Sequence, residues 1–101
     1  MVNYINSNYM DTISLTSVAN KFYISPFYLC RIFKEAIGFS FNEYLTSVRI
    51  KETQRLLKGT NYKVINIAEM SGFGSVSHFG RVFKDLTGMS PLQYRKKSKF
   101  N

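Results

Sequence analysis

Residues 25 to 44 read SPFYLCRIFKEAIGFSFNEY, and residues 75 to 94 read SVSHFGRVFKDLTGMSPLQY. At an offset of fifty, Ser25, Arg31, Phe33, Lys34, Gly38, Ser40 and Tyr44 meet Ser75, Arg81, Phe83, Lys84, Gly88, Ser90 and Tyr94. Upstream the register slips by one, so that Val18-Ala19 pairs with Ile67-Ala68. A period of fifty residues identifies one supersecondary unit used twice.

The hydrophobic spacing around both copies is helical throughout. Val2, Ile5 and Tyr9 form one face of a short first helix. Ser14 caps a second whose inner face is Leu15, Val18, Ala19 and Phe22. Ser25-Pro26 restarts the chain as an N-cap followed by proline at the first helical position, where the missing N–H costs nothing. Leu29, Ile32, Phe33 and Ala36 make the buried stripe of this third helix, and Gly38 takes the left-handed position that ends it. Ser40-Phe41-Asn42-Glu43 has the form of a capping box and opens the longest helix, which Gly59 stops. Its apolar face changes sides, from Phe41, Tyr44, Leu45 and Val48 to Ile50, Thr53, Leu56 and Leu57. A helix patterned this way bridges two packed units. Val64, Ile67 and Ala68 then face inward before Gly72. Ser75 caps a helix striped by Phe79, Val82, Phe83 and Leu86, which ends at Gly88. Ser90-Pro91-Leu92-Gln93 is a second capping box. Arg95 to Asn101 is expected to fray.

This pattern predicts an all-α fold of about seven helices, two helix-turn-helix subdomains joined by a long linker helix. The chain is read as a single domain, 1–101, with subdomain one at about 1–40, the linker at about 41–58, subdomain two at about 60–96 and a basic tail at 97–101. A hydrophobic fraction of 45% and an aromatic fraction of 16% supply the dense packing that so short a chain needs. No apolar run approaches a membrane span and no export signal is laid out at the N-terminus, so no membrane is expected as a partner. The lone Cys30 cannot form an internal disulfide and fits a reducing cytoplasm.

The net charge of +8 is unevenly placed. Residues 1–50 hold four Lys/Arg against three Asp/Glu, +1, and residues 51–101 hold ten against three, +7. Such an excess points first to nucleic acid, second to an anionic membrane surface, and otherwise to a solubilising surface. In a helix-turn-helix the second helix enters the DNA major groove, and its N-terminal half reads base edges. Opposite the buried stripe, the third helix carries Phe27, Cys30, Arg31 and Lys34. The matching helix carries Ser77, Gly80, Arg81 and Lys84, with Val76 at its start. Arg pairs bidentately with guanine, whereas Lys one turn later meets phosphate as a point charge. Phe27, Tyr28 and Val76 offer apolar contact to thymine methyls. The competing structural role for the arginines is an i,i+4 ion pair, Arg31 with Glu35 and Arg81 with Asp85. Exposed pairs of that kind contribute under about 1 kcal/mol and leave DNA contact open.

Other constellations carry little. His78 has no ligand-spaced partner and is a surface or groove residue, so no metal is expected. Cys30 has no neighbouring base that would make it a nucleophile. There is no phosphate loop and no nucleophile elbow. Neither catalysis nor a cofactor is expected.

With Ala19, Arg31-x-Phe33-Lys34, Gly38, Tyr44, Arg49-Ile50, Leu56-Leu57, Ile67-Ala68, Gly72-Phe73, Phe79-x-Arg81-x-Phe83-Lys84, Gly88 and Ser90-Pro91-x-x-Tyr94-Arg95 in order, the chain resembles the AraC/XylS-type DNA-binding domain over nearly its whole length. The resemblance implies a bacterial transcription regulator acting in the cytoplasm at the nucleoid, on double-stranded DNA and with RNA polymerase as a further partner. It implies base contact by Phe27, Tyr28, Cys30 and Arg31 in one unit and by Val76, Ser77, Gly80 and Arg81 in the other, in adjacent major-groove segments. The stretch Ser25-Pro26-Phe27-Tyr28-Leu29 is similar to output domains of two-component response regulators, so a missing N-terminal receiver or effector-binding domain is expected in the full-length protein. Two residues depart from the pattern. Thr53 stands where alanine is common, and Gly80 offers no side chain to a base, so the second unit is expected to bind more by phosphate contact and shape. Two rival readings are a helical protein-interaction or RNA-binding module, and the DNA-binding part of an alkylation-repair regulator.

Overall fold

Serine begins five of the helices by one repeated contact. The hydroxyls of Ser14, Ser25, Ser40, Ser75 and Ser90 accept from the backbone N–H three residues on, at 3.1, 3.1, 3.1, 3.1 and 3.2 Å. Each satisfies one donor that the first turn would otherwise leave orphaned. At Ser40 and Ser90 the box closes in the other direction. Glu43 Oε1 accepts from Ser40 N at 3.0 Å, and Gln93 Oε1 accepts from Ser90 N at 2.9 Å. Ser14 closes a similar box with Ser17.

The computed structural model describes residues 2–11 and 13–99. Among them seven helices and no strand occur: α1 Val2–Asn8, α2 Leu15–Lys21, α3 Pro26–Ile37, α4 Phe41–Gly59, α5 Val64–Met70, α6 Val76–Thr87 and α7 Pro91–Lys99. The all-α expectation holds. The chain divides into two compact units, Met1–Val48 and Arg49–Asn101, and the division falls inside α4.

The first unit buries Ile5, Val18, Ala19, Leu29, Phe33, Phe41 and Leu45 as one cluster. The second buries Ile50, Leu56, Leu57, Ile67, Ala68, Phe73, Phe79 and Phe83. The change of face read along the long helix is therefore real: Phe41 and Leu45 serve the first core, and Ile50, Leu56 and Leu57 the second. The repeated aromatic pair keeps its geometry. Tyr44 stands edge-on to Phe33 at 5.7 Å and 72°, and Tyr94 to Phe83 at 5.4 Å and 75°. Thr53, in place of alanine, is fully buried with its hydroxyl donating to the Ile50 carbonyl at 2.7 Å, so its polar atom is satisfied.

Both units turn from first to second helix through one residue with positive φ. In the second this is Gly72, φ 89°, and in the first it is Tyr23, φ 58°. The turns close alike, with Ile24 N donating to Ala19 O at 3.0 Å and Phe73 N to Ala68 O at 2.9 Å. The left-handed region costs a side-chain-bearing residue about 1–2 kcal/mol, and glycine escapes that cost. Gly38 and Gly88 end α3 and α6 in the same region, at φ 88° and 82°.

Several expectations need correction. Ala36 and Leu86, placed on the buried stripes, are exposed, Leu86 by 59%. In the last turn of α3 it is Ile37, four residues on from Phe33, that packs against the core, and Ala36 is left outside it. Phe22 lies beyond α2 as its C-cap, and its half-exposed ring meets Tyr4 edge-on at 5.8 Å. Gly59 does not stop α4 but belongs to it. The Thr60 N–H and hydroxyl then both donate to the Leu56 carbonyl, at 3.0 and 2.6 Å. The expected frayed tail from Arg95 is helical through Lys99, held by the Ser90 cap and by Arg95 itself. Residues 100 and 101 lie outside the described residues.

Candidate nucleic-acid interface

The packing of α3 decides what its other face offers. Leu29 and Phe33 are buried in the first core, so Phe27, Tyr28, Cys30, Arg31 and Lys34 are turned outward and all are exposed. Phe27 is 82% exposed, an unusual cost for a phenylalanine with no core to enter. The Arg31 guanidinium lies over the Tyr28 ring, 5.6 Å from its centroid. A flexible cation is thereby held near the start of the helix, where a reading residue is needed.

In α6, Phe79 and Phe83 are fully buried, and Val76, Ser77, Arg81 and Lys84 are exposed. Gly80 is half-buried, and a Cβ built there would meet nothing within 4 Å. The two second helices thus present the same Arg-x-x-Lys on their outward faces, with apolar rings beside it on α3 and small side chains on α6.

Neither arginine is taken up by the carboxylate four residues on. Among the described residues Arg31 and Arg81 form no ion pair, whereas Arg55 does so with Glu52. Both guanidinium groups therefore remain available for contacts outside the chain. Between Thr12 and Lys34 the sequence contains no Asp or Glu, while Lys21, Arg31 and Lys34 are exposed. The Glu43 carboxylate is occupied elsewhere. Hydrogen bonds from the Ser40 backbone and then the Ser40 hydroxyl hold its pKa below the ordinary value. Burial pushes the Arg49 guanidinium down from its usual range. Among the described residues no group of three His, Cys, Asp or Glu could hold a metal ion. Among the described residues no helix is long and apolar enough to cross a membrane.

Sequence reasoning located both outward faces, since each follows from its buried stripe. It missed Tyr23, whose signal was present in the slipped register that sets Tyr23 against Gly72. It also missed the stacking of Arg31 on Tyr28, for which the i,i+3 spacing was the available sign.

Two helix-turn-helix units, each with an exposed cationic second helix, define a DNA-binding protein of the transcription-regulator class. A family model described as a helix-turn-helix domain matches residues 18–97. The chain belongs to the AraC family of helix-turn-helix transcription regulators. It is 40% identical over 93 residues to the uncharacterized HTH-type transcriptional regulator YijO of Escherichia coli (strain K12), covering 92% of this chain and 33% of that protein. Its fold matches the C-terminal domain of AraT, a response regulator from Geobacillus stearothermophilus, with a TM-score of 0.93 and 35% identity over 95% of this chain and 80% of that one. It also matches the DNA-binding domain of AdpA, a global transcriptional factor solved in complex with a target DNA, with a TM-score of 0.91 and 26% identity over 95% and 86% of the two chains. The chain spans about a third of the length of the relatives it matches.

Proposed function

We propose that this chain is the output domain of a longer bacterial regulator, in which α3 and α6 enter adjacent major-groove segments of one operator. In this reading Phe27, Tyr28, Cys30 and Arg31 meet bases, and Lys34 meets phosphate. In the second unit Arg81 reaches a base edge, Lys84 a phosphate, and Val76, Ser77 and Gly80 form a close, weakly discriminating surface. The first unit thus carries more of the sequence preference and the second more of the backbone grip.

The observation behind it is the matched pair of unpaired arginines on α3 and α6, opposite side chains that are buried in their own units. The likeness to C-terminal domains of response regulators supports an N-terminal receiver or effector-binding domain in the complete protein. RNA polymerase is a further partner in this reading, and the cytoplasm its location. The domain acts by binding alone, without catalysis.

Selection of bound duplexes from a random pool, followed by titration at several salt concentrations, tests the assignment. Arg31→Ala and Arg81→Ala are expected to cost about 1–3 kcal/mol and to relax preference at particular base pairs. Lys34→Ala and Lys84→Ala are expected to weaken all sequences alike and to lower the salt slope by about one unit. Four variants that weaken every sequence equally would remove base readout from the arginines.

A further inference from the structure

Tyr23 is strained, and nothing in the chain repays the strain. The other copy of the unit makes the same turn with Gly72, so the fold itself does not ask for a tyrosine. The Tyr23 side chain is 95% exposed. Among the described residues it makes no hydrogen bond and no ring contact. Its neighbour Phe22 meets Tyr4 edge-on at 5.8 Å, so among the described residues the Tyr23 ring has no aromatic partner. Strain of this kind persists where function needs it.

The position says what the phenol would meet. Tyr23 lies two residues before Ser25, the N-cap of α3, at the end of the helix from which Phe27, Tyr28 and Arg31 project. Lys21 is exposed two residues upstream, and no carboxylate occurs between Thr12 and Lys34. An exposed hydroxyl two residues from a lysine, just before the start of a reading helix, suits a polyanion, and tyrosine hydroxyls are among the groups that bind DNA phosphates. We infer that Tyr23 is a DNA-backbone contact of the first unit, its hydroxyl donating to a phosphate oxygen at the edge of the segment that α3 reads. The inference rests on DNA engagement by α3.

Tyr23→Gly and Tyr23→Phe in the 101-residue chain, titrated against a selected duplex and a scrambled one, separate the contact from the strain. Tyr23→Gly is expected to raise the Tm by about 5 °C and yet to bind both duplexes about three- to tenfold more weakly. Tyr23→Phe keeps the strain and the ring, and is expected to lose the same factor with no gain in Tm. The salt slope stays unchanged in both, because no cation is removed. Undiminished affinity in either variant, or a Tyr23→Gly chain no more stable than its parent, overturns the inference. Arg31→Ala run alongside tells the two readings apart. If it weakens binding while the Tyr23 variants do not, only the Tyr23 contact is wrong, and if none weakens it, DNA engagement by α3 is wrong as well.

Discussion

Arg95 Nε donates to the carbonyl oxygen of Leu57 at 3.2 Å, across 38 residues of sequence. Its Nη2 donates to the Thr60 carbonyl at 3.3 Å. These carbonyls lie at the C-terminal end of α4, where the helix leaves acceptors unpaired and the macrodipole favours a cation. Arg95 therefore clips α7 to the end of α4 within the second unit.

Arg95→Met keeps much of the aliphatic stem and removes the donors. Half-buried charge-assisted bonds of this kind are expected to contribute about 1–2 kcal/mol together. Urea unfolding of the variant should show that loss with an unchanged m-value. Stability equal to that of the parent would mean that water caps α4 equally well.

The capping box at Ser40 makes stability depend on pH. Hydrogen bonds from Ser40 lower the Glu43 pKa in the folded chain. The unfolded state therefore takes up the proton first as pH falls. The contribution of Glu43 is complete above its unfolded value of about 4.3 and is lost as pH drops through the lower folded one. Gln93 fills the same role at Ser90 without titrating. Glu43→Gln should thus keep the helix start while flattening the stability profile between about pH 5 and pH 3. An acid limb identical to the parent's would assign the pH dependence to other carboxylates.

Gly80 sits in the interior of α6 with open space where a Cβ would go. Its backbone is helical, so alanine needs no strain. Gly80→Ala is expected to stabilise the domain by about 1 kcal/mol through backbone entropy alone. Thermal unfolding measures it, and a destabilised variant would contradict the open site.

What could be read from the sequence was what is local or repeated. Ser25 and Ser75, Gly38 and Gly88, and the stripes through Phe33 and Phe83 each follow from a few neighbouring residues, and each occurs twice. The outward faces that carry Arg31 and Arg81 follow from those stripes by helical geometry alone. Features set at a distance were hidden. No spacing rule links Arg95 to Leu57. Leu86 is exposed although it fits the apolar stripe of α6, because the neighbours that the stripe meets are set by the fold and not by its own spacing. Tyr23 occupies a left-handed position that no preference of tyrosine suggests. The choice of Arg31 between Glu35 and Tyr28 was open at i,i+4 and i,i+3, and only the folded side chains decide it.

That choice leads to a last prediction, on how the reading arginine is prepared. With its guanidinium over the Tyr28 ring at 5.6 Å, Arg31 loses part of its rotamer freedom before DNA arrives, so less is lost on binding. At an exposed site the stacking is worth about 0.5–1 kcal/mol. Tyr28→Leu removes the ring face and should weaken binding by a factor of about 2–5. Tyr28→Phe keeps the face and should bind nearly as the parent does. A double-mutant cycle with Arg31→Ala separates this from any direct contact of Tyr28 with a thymine methyl. If Tyr28 acts through Arg31, Tyr28→Leu costs nothing further once Arg31 is alanine, and the lost preference falls at the base pairs that Arg31→Ala also relaxes. Additive losses at different base pairs would instead make Tyr28 an independent reader and the stacking incidental.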